Sequence, residues 1–403
     1  MRILMLSQYF WPESFIINDI VRTLVEQGHH VVVATGKPNY PDGKVFDGYR
    51  AAGTQRECFE GRVEVLRVPL WPRGKGGAKN LILNYLSFVL AGLFYLPWML
   101  RKREFDAILV FAPSPVTQAI PAIPLKWLKR ARLALWVQDL WPESLSATGF
   151  VRNRHLLKLV GCMVTAIYRQ CDILLVQSRA FVEPMARYAA REKIHYYPNS
   201  MDVSLSRSEV ALAPELDELL EQYFCVVFAG NLGTAQALDT LVEAAAQLRD
   251  DADIRLVLVG SGSRLEWLKS QKQALGLDNL VLPGRYPMAA MPAIFERSSA
   301  LLVSLNDEEV FAQTIPSKIQ AYLAAGRPII ACMNGEGAKV VCDACAGLTS
   351  PAEQVLPLVE NIRHMKALGV AERAGMGQAG RAYFEAHFEM GSQVKRLTEL
   401  LSL

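Results

Sequence analysis

Apolar positions along this chain fall into two recurring patterns. Short runs of aliphatic residues have strand length: Arg2–Leu6, His30–Thr35, Val63–Val68, Asp106–Phe111, Leu133–Val137 and Ile173–Gln177. Between them lie stretches with helical spacing. Ile16, Ile17, Ile20, Val21, Leu24 and Val25 make one helix face that stops at Gly28. Around 196–206 the segment YYPNSMDVSLS breaks the rhythm, which then restarts. Cys225–Ala229, Arg255–Val259, Leu280–Leu282, Leu301–Val303 and Ile329–Ala331 read as strands. Helical segments are expected at 235–248, 264–275, 287–297, 316–325, 352–367 and 371–386. Strands separated by helix-length segments imply parallel sheets covered on both faces. The α/β pattern therefore predicts two Rossmann-like doubly wound domains in tandem. A length of 403 residues agrees, being more than one core usually spans. Folds of this kind bind ligands at the C-terminal ends of their strands.

One stretch departs from the alternation. Leu81–Leu100, LILNYLSFVLAGLFYLPWML, carries no charge over a length that could cross a bilayer. Arg73, Lys75 and Lys79 precede it, and Arg101, Lys102 and Arg103 come after it, so the flanks set no orientation. A span would put the next segment on the far side of the membrane, yet Phe105–Phe111 reads as the next strand of the same sheet. The favoured expectation is a helix lying in the membrane interface with basic anchors; a buried core helix and a true span stay open.

Composition narrows the class. Half the residues are apolar (51%) and a fifth are charged (21%), as in a folded chain with large cores. A net charge of +3 gives no ground for a nucleic-acid partner. Arg2 followed by the short run Ile3–Leu6 reads as a strand and not as a signal peptide. Seven scattered cysteines fit a reducing cytoplasm. Cys342 and Cys345 form one C-x-x-C without a second pair, and no histidine has metal-ligand spacing, so no metal is expected.

Candidate chemistry sits at strand ends. In Phe311–Ala331, Pro316 opens a helix, Ile319, Tyr322, Leu323 and Ala324 give its apolar face, and Gly326 and Pro328 end it. Thr314, Ser317 and Lys318 lie at its N-terminus, a place suited to a phosphate or sugar hydroxyl, though an ordinary helix start reads the same way. Gly230-Asn231-Leu232-Gly233 follows a strand and precedes a helix, as a phosphate-binding loop or a plain turn would. Asp139, within Gln138–Glu143, follows another strand; it could orient or deprotonate a hydroxyl, or simply cap a helix, and Glu143 is a weaker candidate. Trp11, Glu13, Asn18, Asn39 and Tyr40 occupy the first two strand-to-helix loops, where aromatics and amides suit sugar faces and hydroxyls.

PSK (316–318), YLAAG (322–326) and RPII (327–330) resemble the donor-site segment of glycosyltransferase family 4, in its bacterial lipopolysaccharide, capsule and colanic-acid branch, which includes L-fucosamine-type transferases. YFWPE (9–13), GKPNYPDGK (36–44), VQDLWPES (137–144), YPNSMD (197–202), FAGNLGTAQALD (228–239), VGSGS (259–263) and LPGRYP (282–287) match the same branch in the family's order. The resemblance implies the GT-B fold, two Rossmann-like domains facing a central cleft. It implies an acceptor-side domain at 1–198, a nucleotide-sugar domain at 199–386 and a C-terminal helix at 387–403 crossing back to the first. Gly230, Asn231, Gly233 and Gln236 would form the donor-diphosphate loop. Gly260 and Gly262 would face the nucleotide, and Arg285-Tyr286 would hold the base. The family's Arg and Lys in the diphosphate loop are absent, so Lys318 and Arg285 are the candidate cations. Its paired glutamates fall on Gln313 and Ala321, with Glu308 and Glu309 upstream.

The activity so implied is transfer of a sugar, an N-acetylated hexosamine or deoxyhexosamine, from a UDP-sugar to a polyprenyl-diphosphate-linked saccharide. It would proceed with retention, without a metal or other cofactor, at the inner face of the cytoplasmic membrane. The alternatives are a UDP-N-acetylglucosamine 2-epimerase-like reaction on the same fold, and a non-catalytic relative that binds sugar nucleotides.

Overall fold

In a computed structural model, residues 1–74, 77–147, 153–202 and 211–403 are described. Lys75, and residues 203–206 of the predicted junction, lie outside them. The chain forms two units, Met1–Asn199 with Met390–Leu403, and Ser200–Glu389.

The first unit is built on an eight-stranded sheet: β1 (Arg2–Leu6), β2 (His30–Thr35), β3 (Gln55–Phe59), β4 (Val63–Arg67), β5 (Ala107–Ala112), β6 (Arg132–Val137), β7 (Ile173–Val176) and β8 (Ile194–Tyr196). Their order is β3-β4-β2-β1-β5-β6-β7-β8. Neighbours run parallel except β3 and β4. Leu4 lies opposite both Val32 and Ile108 in the register. Alternation along β1 sends Leu4 and Leu6 to one core and Ile3 and Met5 to the other. Both faces are thus covered, which is why the central strands read as unbroken apolar runs. Strand order reverses between β1 and β5, so the loops after them flank the expected ligand end.

The second unit carries six parallel strands: β9 (Phe224–Asn231), β10 (Ile254–Ser261), β11 (Leu280–Gly284), β12 (Ala300–Ser304), β13 (Ile329–Cys332) and β14 (Gly347–Ser350). Their order is β11-β10-β9-β12-β13-β14, with the reversal between β9 and β12. The turn after β9 holds Gly230–Gly233, so topology puts that loop at the switch point.

The helix predicted at 387 begins at Met390. Phe388 still belongs to the second unit, where it is fully buried and its carbonyl accepts from Met201 N at 2.9 Å. Met390, Val394, Leu397 and Leu401 then fill the same core as Ile17, Ile20 and Leu24 of helix Ile16–Glu26.

The long apolar segment is the helix Ala78–Met99. Asn84, Phe88, Val89, Gly92, Leu96 and Met99 are buried against the first unit. Ile82, Leu86, Leu90, Phe94 and Trp98 are exposed on the other side, Leu90 at 66% and Phe94 at 74%. Asn84 explains the docked face. Its Oδ1 accepts from Gln8 Nε2 at 2.6 Å, and its Nδ2 donates to the Trp71 carbonyl at 2.6 Å. The strands before and after this helix, β4 and β5, share one sheet, which a bilayer crossing between them would forbid. A wholly buried core helix is equally at odds with that exposed row.

Candidate active site

The second unit gathers Lys318, Gly230 and Gln236 into one place. Lys318 lies in the first turn of helix Ser317–Ala325, which comes after β12 and leads into β13. Its stem runs across the β9 turn. A Cβ on Gly230 would stand 2.7 Å from Lys318 Cε, so glycine there is what admits the side chain. The ammonium donates to Gln236 Oε1 and stands 3.7 Å from the centre of the Phe228 ring. No ion pair is formed by this amine among the described residues. Burial without a carboxylate pushes its pKa down to about 7.

Two side chains that sequence reasoning missed brace this turn. Asn306, just past β12, accepts from Ala237 N at 2.9 Å and donates to the Thr234 carbonyl at 3.0 Å. Ala237 has φ 46°, a left-handed backbone that alanine seldom adopts. Tyr322 Oη accepts from Ala229 N at 2.9 Å, tying the helix of Lys318 to the end of β9. The signal for Asn306 was a polar residue ending an apolar run.

Other predicted donor residues divide. Gly260 pairs with Gly230 across β9 and β10, and a Cβ there would fall 1.8 Å from the Gly230 carbonyl oxygen. A Cβ on Gly262 would fall 2.3 Å from the Leu232 oxygen. Both glycines are therefore required by the approach of the two turns. Asn231 is exposed, and a Cβ on Gly233 would meet its amide at 2.7 Å. Ser317 is exposed at the helix start. The Thr314 hydroxyl is turned back onto the Val310 and Phe311 carbonyls at 3.4 and 3.5 Å. Arg285 is exposed past β11, and Tyr286 packs against the core. β10 separates β11 from β9, and among the described residues Arg285 makes no bond to Lys318 or to the Gly230 turn. Gln313 Nε2 donates to Glu309 Oε1 at 3.0 Å, so the two polar positions ahead of the helix are joined.

In the first unit, Asp139 lies just past β6 and is half-buried. Burial raises its pKa, opposed by the neighbouring Ser144 and Ser114 hydroxyls. Nearby, Glu143 Oε1 accepts from Tyr188 Oη at 3.2 Å, while buried Glu143 Oε2 and Gln138 Nε2 find no partner among the described residues. Buried polar atoms are ordinarily bonded, so these two point to water or a polar ligand beside Asp139.

Glu13, Asn18 and Asn39 do not present themselves to an acceptor. Glu13 is 2% exposed. Its Oε1 accepts from Asn39 N and Tyr40 N at 2.9 and 2.8 Å, and its Oε2 from Phe10 N at 3.3 Å. Burial raises its pKa to about 7 against the pull of those bonds. Asn18 accepts from Trp11 N at 3.0 Å and donates to the Glu13 carbonyl at 2.7 Å. Asn39 is fully buried and donates to the Lys37 carbonyl at 3.0 Å. Backbone groups near a buried carboxylate or amide claim it before any ligand can. These three hold the loops, and the surface they support is aromatic. Trp11 and Tyr40 are exposed, and the Arg73 guanidinium stands 5.2 Å from the Tyr40 ring centre. Arg73 was not predicted as a site residue.

Two family models match in tandem. "Glycosyl transferase 4-like domain" covers residues 15–200 and "Glycosyl transferases group 1" covers 217–383. The chain is a GT-B glycosyltransferase of the family 4 type. It is 26% identical over 340 residues to WcaI of Escherichia coli K12, assigned as a colanic acid biosynthesis glycosyl transferase, covering 81% of this chain and 82% of that one. It is 24% identical over 344 residues to the glycosyltransferase WbjE of Pseudomonas aeruginosa, covering 80% and 78%. Among solved structures, Anabaena HepE in complex with UDP superposes with a TM-score of 0.69 at 15% identity over 100% of both chains. That likeness establishes the fold.

Proposed function

We propose that the enzyme moves a sugar from a UDP-sugar to a polyprenyl-diphosphate-linked saccharide at the inner face of the cytoplasmic membrane, in assembly of a bacterial surface polysaccharide. The sugar is an N-acetylated hexosamine or deoxyhexosamine, transferred with retention and without a metal. The observation that carries the reading is Lys318, an amine paired with no carboxylate among the described residues and packed against the Gly230 turn. A diphosphate arriving there would meet backbone N–H groups of the glycine turn, the Ser317 hydroxyl and the helix N-terminus. It would also return Lys318 to its charged form, so the cation gains most as charge grows on the leaving diphosphate. Arg285 is the second cation in this reading, and Asn231 and Tyr286 are further donor contacts. Asp139 orients the acceptor hydroxyl and takes its proton. Trp11, Tyr40 and Arg73 provide an aromatic and cationic surface for the acceptor. The exposed row on Ala78–Met99, with Arg101 and Lys102 after it, rests in the bilayer interface and keeps the acceptor lipid close. UDP in HepE and the polysaccharide assignment of WcaI lend support.

The test is incubation of detergent-purified enzyme with a panel of UDP-, GDP- and TDP-sugars and a polyprenyl-diphosphate-linked saccharide. Extension of the lipid-linked saccharide with a UDP-sugar is expected. Transfer from GDP- or TDP-sugars alone would overturn the donor assignment. A new sugar formed without acceptor would point to epimerisation instead.

A further inference from the structure

A second basic site lies on the first unit, away from Asp139 and the loops after β1 and β2. An open groove of about 480 Å³ runs between helix Ala122–Lys129 and β6, lined by Lys126, Trp127, Arg130, Ala131, Arg132 and Asp172. Its single carboxylate is already occupied. Asp172 Oδ1 accepts from Lys126 Nζ at 2.6 Å and Oδ2 from Leu133 N at 2.9 Å. Lys126 also donates to the Gln170 carbonyl at 2.8 Å. Arg130 and Arg132 are exposed and have no ion pair or side-chain hydrogen bond among the described residues. Nearby Glu104 is held by Arg2 at 2.6 Å. The groove therefore offers two uncommitted guanidinium forks, a geometry that matches phosphate oxygens.

The rim is apolar and points to the source of that phosphate. Trp127 is 67% exposed and Leu128 63% exposed. The adjoining Lys129 donates to the carbonyls of Leu100 and Arg103 at 2.6 and 2.8 Å, closing the end of helix Ala78–Met99. The two helices also touch where a Cβ on Gly92 would stand 2.7 Å from Pro121 Cγ. Exposed Trp98, with the Arg101 guanidinium 4.8 Å from its ring centre, thus lies at the end of the helix to which Lys129 is bonded. Tryptophan beside arginine is the pattern of a lipid headgroup layer.

We infer that this groove binds the phosphate of an anionic membrane lipid while Trp127 and Leu128 enter the bilayer beside it. The inference rests on the reading that Ala78–Met99 faces a membrane. It adds a built phosphate site, since Arg101 and Lys102 beside the apolar row would attract an anionic bilayer only through diffuse charge.

Cosedimentation with phosphatidylcholine vesicles, with and without phosphatidylglycerol, tests it on the full chain. Arg130→Asn with Arg132→Ser removes both forks; Asn suits position 130, where φ is 52°. Unchanged thermal unfolding of this variant is expected, since both side chains are exposed. The wild type should prefer anionic vesicles, and the double variant should lose about ten- to thirtyfold of that preference, at roughly 1 kcal/mol per cation. Arg130→Lys with Arg132→Lys should restore part of it. Leu90→Ser with Phe94→Ser should weaken binding to both vesicles. Full anionic preference in the double variant would overturn the groove and leave the bilayer reading of Ala78–Met99 standing. So would an equal loss in Arg101→Ser with Lys102→Ser, which would mean diffuse charge. A wild type that sediments with neither vesicle would overturn both.

Discussion

The ammonium of Lys318 stands 3.7 Å from the centre of the Phe228 ring, and Gly230 leaves the space that lets it reach there. An aromatic face steadies a cation, but burial without a carboxylate works against it. Lys318→Met should therefore lower kcat/KM by about 10²- to 10³-fold, the range for losing one donor to a developing anion. Its unfolding midpoint should not fall, because methionine fills the same apolar path. A folded variant with wild-type turnover would remove Lys318 from the mechanism.

Proton uptake should accompany UDP binding. The free amine titrates at about 7 and a bound diphosphate raises that value. Affinity should then decline as pH rises above 7, approaching tenfold per pH unit until the bound-state value is reached. Calorimetry in two buffers of different ionisation heat would register the uptake, and Lys318→Met should show none. Stability has its own sign. The folded pKa lies below the unfolded value of 10.5, so the unfolded chain holds the extra proton between about 7 and 10.5. Wild-type stability relative to the Met variant should therefore grow as pH climbs through that window.

Asp139→Asn should lower kcat about 10²- to 10⁴-fold with UDP affinity unchanged. Its carboxyl pKa is raised by burial, so the acid limb of the wild-type kcat/KM profile should lie above the ordinary aspartate range. An acid limb that survives in the Asn variant would assign the proton elsewhere.

Glu13→Gln should disturb the acceptor side alone. One amide NH₂ would face backbone N–H groups now bonded to carboxylate oxygens, at a cost of about 1–3 kcal/mol. Denaturant titration should register that loss, and the acceptor KM should rise while UDP affinity holds. Unchanged stability would mean that the loops need no such latch.

On helix Ala78–Met99 the two faces should separate by experiment. Leu86→Ser with Leu90→Ser and Phe94→Ser should release protein from membranes with little change in unfolding temperature. Asn84→Ala should lower that temperature, because Gln8 Nε2 and the Trp71 carbonyl lose their partner. Fractionation and thermal scans read both; unfolding of the triple variant would mean the face is core.

The central strands were legible because burial on both faces writes a continuous apolar run. β3, β8 and β14 were not, being short or polar at sheet edges: Gln55–Phe59 opens on Gln55, Arg56 and Glu57, and Ile194–Tyr196 has three residues. In the site, residue type was legible and direction was not. Glu13, Asn18 and Asn39 carry the groups expected of a sugar site, yet the backbone path turns those groups inward. Lys318 and Gln236 are 82 residues apart, a meeting that spacing could not announce. Asn84 did leave a signal: an amide inside LILNYLSFVL must find a partner somewhere.

The crossing at Glu389–Met390 has a consequence for how the protein is made. During synthesis the first sheet leaves the ribosome long before Val394, Leu397 and Leu401, which share a core with Ile17, Ile20 and Leu24. Until those last residues emerge, that apolar face has no cover, while the second unit, Ser200–Glu389, has its whole sequence available. The domain begun first is thus the one completed last, and a chain halted before Met390 would present a folded second unit beside a first one open to chaperones.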